Sequence, residues 1–244
     1  MPLPPIIAWD YLFAPNAQKS RLYLYTTETP FCICEQPFAL PRPTLTALGI
    51  TYRRVPILSI GKDVFPDNAS FLETMQMLLE GEGRALREGP WDRACEAWGY
   101  VSDCFVVRGS RCRNSVWNTW DSNAAITDKT FLHVQRSFWL TLPCLPAEFV
   151  TAELAKDRAA LFPVFARDDF GVLQESGRSE LRAFLQGAEE GFLRAQDEGS
   201  FIGGSTHSLA DIHAIWVVKW WIETVGVAEK VGFGKAEFPR IWKW

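Results

Sequence analysis

The sequence predicts a mixed α/β unit at the N-terminal end followed by an all-α helical bundle, and three observations carry that reading. Short apolar runs alternate with amphipathic stretches as far as about residue 80. Between 81 and 90 the composition shifts to Gly, Glu and Arg, which marks a linker. Beyond it strand signals fade, helical periods dominate, and ten of the eleven tryptophans occur.

Residues 6–9 form an apolar run suited to a buried strand, and Asp10 to Pro15 turn the chain. Helical spacing follows over 16–26, where Pro15 suits a helix start. Ala17, Leu22, Leu24 and Tyr25 can face a core there, with Gln18, Lys19 and Arg21 facing water. A second strand is expected over 31–35. The Pro-rich connection 37–43 excludes regular helix or central strand, and a short helix over 43–48 stops at Gly49. Residues 55–60, the turn Gly61-Lys62-Asp63 and Val64-Phe65 read as a hairpin. Asp67-Asn68 then precedes an amphipathic helix containing Phe71, Leu72, Met75, Leu78 and Leu79. The order β-α-β-α-β-β-α is the thioredoxin arrangement. Helical periods follow over 93–107, 131–140, 147–165, 179–197 and 208–224, and the tryptophans either fill a bundle core or line an aromatic pocket.

With 244 residues the chain can form one large domain or two modest ones, and size alone does not decide between them. Its net charge is −4, and its basic residues gather only in short pairs such as Arg53-Arg54. A nucleic-acid groove or an anionic membrane surface is therefore not expected as partner. The first residues lack a basic segment and no apolar run spans a bilayer, so a cytoplasmic location is expected. The six cysteines have no framework spacing, and no structural disulfide is expected. Cys32 and Cys34 form a C-x-C whose sulfurs project from one face of a strand, and buried core thiols are favoured there over redox chemistry. His133, His207 and His213 have no second ligand at helical spacing, so no metal is expected.

Three local patterns resemble the glutathione transferase superfamily, and a fungal branch of it. The first is Ala14-Pro15-Asn16-Ala17-Gln18-Lys19 at the start of the first helix. The second is Tyr52-Arg53-Arg54-Val55-Pro56-Ile57-Leu58, followed by Asp67-Asn68. The third is Phe201-Ile202-Gly203-Gly204, followed by Ser208-Leu209-Ala210-Asp211-Ile212. Pro41-Arg42-Pro43 and the stretch 157–162 are similar to the fungal branch as well. The resemblance implies glutathione transferase architecture: a thioredoxin-like glutathione-binding domain over 1–82 and an all-helical domain over 91–244. It also implies glutathione as co-substrate, a hydrophobic small molecule as second ligand, and a homodimer.

Residue by residue, the resemblance implies a cis Val55-Pro56 bond that turns the Val55 backbone toward the cysteinyl backbone of glutathione. The residues alone equally allow an ordinary trans proline at a strand start. Asp67 would neutralise the γ-glutamyl amine and Asn68 would donate to its carboxylate, at a helix N-terminus that favours anions. The bare alternative is a helix cap. Ser208 and Asp211 have capping-box spacing and are read as folding stability. The final stretch, 238–244, would begin a helix that packs back on the bundle and is cut short.

A glutathione transferase must raise the thiolate fraction of the bound thiol, and polar groups at a helix N-terminus do this by hydrogen bonding and dipole. Ala14 occupies the place of the family's usual Ser or Cys and can do neither. Asn16 remains, and Ala-Pro-Asn resembles the fungal class related to yeast's nitrogen catabolite repressor, in which an Asn faces the sulfur. Asn16 is thus the candidate catalytic residue; the alternative is that it only caps the helix. The functions implied are addition of glutathione to a hydrophobic electrophile, or its removal, in detoxification or secondary metabolism. A non-catalytic binding or regulatory protein of the same fold is the alternative, and thiol-dependent peroxide or disulfide reduction is a third.

Overall fold

The computed structural model describes residues 3–86, 151–153, 156, 168–169, 172, 175, 179, 182–183, 185–194, 201–202, 204–225 and 232–244. The chain divides into two compact units, Met1–Arg87 and Glu88–Trp244. The helices expected over 93–107 and 131–140, the stretch 157–162, Cys95, Cys104, Cys112, Cys144, His133 and Gly203 lie outside the described residues.

In the first unit β1 (Ile6–Asp10), α1 (Pro15–Thr26), β2 (Cys32–Glu35), α2 (Pro43–Ala47), β3 (Ile57–Ile60), β4 (Asp63–Phe65) and α3 (Asn68–Glu80) follow in chain order. The sheet order is β2-β1-β3-β4. β1 pairs parallel with β2, with Trp9 opposite Cys34, and antiparallel with β3, with Ala8 opposite Leu58. The parallel pair needs a crossover, and α1 supplies it. β3 and β4 close the hairpin at Gly61, whose φ of 61° is readily taken by glycine. Gly49, at φ 76°, ends the turn after α2 in the same way. Two small cores flank the sheet: Trp9, Leu45 and Ile57 pack under α2, and Ala14, Ala17 and Val55 meet at the start of α1.

Three local expectations are corrected. Lys19 and Arg21 are 2% and 5% exposed, whereas Tyr25 is 64% exposed. α1 is enclosed around most of its circumference, with Pro15, Ala17, Ser20, Tyr23 and Leu24 also buried, so charge alternation does not mark a wet face. Cys32 is exposed and Cys34 half-buried, because β2 is an edge strand and not a central one. Finally, the first part of the expected linker is anchored. Arg84 Nη2 donates to the carbonyls of Thr27 (2.7 Å) and Glu28 (3.0 Å), and Gln76 exchanges hydrogen bonds with the backbone of Leu86 at 3.0 Å each. Leu86 is buried as a result.

In the second unit the main described helix is α4 (Leu209–Lys219), continued by a π-helical turn at Trp220–Val225; a second π-helical turn spans Ala188–Phe192. Trp216 and Trp220 are fully enclosed, which fits the core reading of these two tryptophans. The chain ends in α5 (Pro239–Lys243). Although short, this helix is docked. Glu189, itself buried, accepts from Arg240 N at 2.9 and 3.0 Å and from Ile241 N at 2.9 Å, satisfying the free N-H groups of a helix start. Phe238 and Ile241 are buried beneath it.

Asp211 is 0% exposed and organises the turn before α4. Its Oδ2 accepts from Ser208 N at 2.8 Å, half of the expected capping box. The reciprocal half differs: the Ser208 hydroxyl donates to the same Oδ2 at 3.0 Å. Oδ1 accepts from Ile202 N at 2.9 Å and from the Trp244 indole N-H at 2.7 Å. Thus one carboxylate ties the 201–204 turn, the helix start and the last residue together.

Among the described residues no helix is long and apolar enough to cross a membrane.

Candidate functional site

The candidate residues of the first unit converge where α1 and α3 begin. Ala14 occupies the N-cap position of α1 and Pro15 its first helical position, so Asn16 lies one residue inside the helix. No side chain caps α1, which sets aside the reading of Asn16 as its cap. The Asn16 side chain has its Oδ1 enclosed without a hydrogen-bond partner, while its backbone carbonyl accepts from Asn68 Nδ2 at 2.9 Å. That bond joins residues 52 positions apart and holds the two helix starts together.

Asn68 is 6% exposed, and its Oδ1 also lacks a partner. One hydrogen of its amide nitrogen is engaged by the Asn16 carbonyl, and the NH2 group carries a second donor, so this bond and donation to a ligand carboxylate are compatible. Asp67 is the N-cap of α3, its Oδ1 accepting from Ser70 N and Ser70 Oγ at 3.0 Å each. It is half-buried, and capping and ligand contact are compatible for a two-oxygen group.

Val55-Pro56 is cis, as is Leu40-Pro41, which carried no sequence expectation. Val55 precedes β3 and stands outside the sheet register, so its backbone N-H and C=O are not engaged by the ladder. Its side chain packs on Ala14 and Ala17. Sequence reasoning missed the neighbours that frame it. Tyr11 packs against the same cluster, with its ring 4.6 Å from Phe38 and the Arg42 guanidinium 5.8 Å above it. Arg42 is buried, donates to Pro37 O at 3.2 Å, and bonds the Arg53 carbonyl just before Val55. The Pro41-Arg42-Pro43 motif was the available signal: an arginine held between prolines ties the 37–43 connection to the segment that presents Val55.

Behind this region Asp10 ends β1 fully buried and pairs with Arg21, whose Nε donates at 3.2 Å and whose Nη2 forms a second bond. Burial raises the Asp10 carboxyl above its ordinary 3.8; Arg21 pulls it down and Glu35, its register neighbour on β2, pushes it up. Among the described residues no group of three or more His, Cys, Asp or Glu side chains could hold a metal ion.

This architecture is that of the glutathione S-transferases, a thioredoxin-like unit followed by a helical one. The mango (Mangifera indica) Tau class glutathione S-transferase matches with a TM-score of 0.56 at 12% identity, over 98% of this chain and 86% of that one. A glutathione S-transferase from Rhodospirillum rubrum matches at 0.57 and 14%, over 98% and 85%. A glutathione transferase family member from Pseudomonas fluorescens, solved with two glutathione bound, matches at 0.55 and 15%, over 98% and 85%. A family model described as a domain of unknown function, DUF7962, matches residues 141–244. A sequence search among curated proteins returns no significant match.

Proposed function

We propose that this protein binds glutathione at Val55, Pro56, Asp67 and Asn68 and transfers it, through its thiolate, to or from a hydrophobic electrophile. The observation that supports this most is the joining of Asn16 and Asn68 at two adjacent helix starts, beside a cis Val55-Pro56 whose backbone is free of the sheet. In this reading Val55 pairs with the cysteinyl backbone, Asp67 faces the γ-glutamyl ammonium, and Asn68 donates its second amide hydrogen to the γ-glutamyl carboxylate. Asn16 offers its amide to the sulfur at the positive end of α1, which favours thiolate. The finer points of this proposal are a fungal setting in detoxification or secondary metabolism, a cytoplasmic location and a homodimer.

The second reading, a binder without turnover, is favoured by one observation. Ala14 fills the position of an activating hydroxyl or thiol with a buried methyl group. Replacing Asn16 by alanine separates the two. In the enzyme, glutathione affinity stays level, conjugation falls about ten- to a hundredfold, and the pH-rate profile moves to higher pH, since a hydrogen bond to a charged group contributes roughly 1.5–3 kcal/mol. In the binder no rate exists to fall.

Binding itself is tested by titration calorimetry with Asp67→Asn. Asparagine keeps the cap on Ser70 N and removes the charge, so glutathione affinity is expected to drop about tenfold while the urea midpoint holds. Absence of glutathione binding by the folded wild type would refute the proposal.

A further inference from the structure

The edge strand β2 carries a feature that glutathione chemistry does not use. Cys32 and Cys34 are both free thiols, on one face of a strand that, among the described residues, has no neighbouring strand on its outer side. Cys32 is exposed. Cys34 packs against the Trp9, Leu45 and Ile57 cluster, which restricts its motion. Gln36, 3% exposed, donates from Nε2 to the Cys34 carbonyl at 3.0 Å, to the Glu35 carbonyl at 3.2 Å and to Cys34 Sγ at 3.6 Å. A buried amide is thus aimed at a half-buried sulfur, an arrangement that fixes the direction in which the sulfur presents its lone pairs.

Geometry selects what this pair can hold. Two strand positions apart, same-face Cβ atoms are separated by about 6.6 Å, well beyond the roughly 3.5–4.5 Å that a disulfide requires. A direct S-S bond would need β2 to leave its register with β1. Two thiolate-to-metal bonds of about 2.3 Å each span about 4.6 Å end to end, a separation that inward rotamers reach from an undistorted strand. A zinc ion requires four ligands, and the described residues offer no cluster of three. Soft thiolates with only two positions suit a soft monovalent cation.

We propose that Cys32 and Cys34 form a two-coordinate site for Cu(I), with Gln36 orienting the second sulfur. Each thiol gives up its proton to solvent as its sulfur bonds the ion, so two protons leave per ion bound and no oxidant or reductant takes part. The site is independent of the glutathione reading, and glutathione affinity measured on the same variants reports on that reading separately.

The test is anaerobic competition for Cu(I) with bicinchoninate, on the full chain with its other four cysteines as background. The wild type is expected to withdraw one equivalent more than Cys32→Ser, an exposed change that leaves packing intact. Cys34→Ser is expected to lose the same single equivalent, and the double variant no more than either. Gln36→Leu, keeping both thiols and adding no metal-binding group, is expected to weaken that equivalent about tenfold. A tenfold excess of Zn(II) should leave it in place. The proposal is overturned if Cys32→Ser matches the wild type, if the two single losses add in the double variant, or if Zn(II) displaces the ion.

Discussion

Asp211→Ala is expected to lower the stability of the helical unit by about 4 kcal/mol or more, read as a fall in the urea midpoint of near-ultraviolet circular dichroism at unchanged slope. The magnitude follows from the donors left behind. Ile202 N, Ser208 N, Ser208 Oγ and Trp244 Nε1 all bond this one carboxylate, which has no exposure to water. Buried donors without partners cost roughly 1–3 kcal/mol each, and relaxation or water entry recovers only some of them. Asp211→Asn retains one acceptor oxygen and is expected to lose about half as much. A wild-type midpoint for the alanine variant would mean that the turn, the helix start and the last residue are held by something else.

Arg21→Met is expected to cost about 3–5 kcal/mol near neutral pH, since it leaves the Asp10 carboxylate buried without its counter-charge. The sign of its pH dependence is distinctive. Burial raises the Asp10 carboxyl above its ordinary 3.8 even with Arg21 present. Its contribution to stability is therefore complete below the unfolded carboxyl's titration and declines as pH rises through the native one. Removing Arg21 lifts the native value further and widens that window upward. The gap between wild type and variant should accordingly be largest near pH 7 and shrink toward about pH 5, where more Asp10 is protonated and needs no partner. Urea midpoints at both pH values check it; a gap that widens on acidification would show that Arg21 stabilises through some other group.

Much of this was legible in the sequence wherever the signal is local. The order of strands and helices in the first unit follows from short apolar runs, from Gly49 and Gly61 at positive φ, and from Asp67 capping the helix three residues before Ser70 N. Ser208 and Asp211 likewise announced a helix start through their spacing, and only the direction of the hydroxyl bond differed. Such features are encoded within a few residues because a turn, a cap or a period is satisfied by its own neighbours.

The tertiary structure decided what depends on residues far apart in the chain. Helical periodicity put Arg21 in water, but Asp10, 11 residues earlier, provides the buried charge that holds it inside. Alternation placed Cys32 and Cys34 on one face of a strand but could not tell an edge from a centre, because strand order is settled by which partners find β1. Asn16 and Asn68 were named separately by motif; the bond across 52 residues turned one amide into a tie between helices. The short final helix looked incomplete in sequence, yet Glu189 and Asp211 dock it from 51 and 33 positions away. Sequence by itself determined the local elements and their order, since short-range geometry and hydrophobic period suffice for those. Enclosure, edge position and the pairing of buried polar groups were decided only in three dimensions, where desolvation makes each such group depend on a partner that no local pattern specifies.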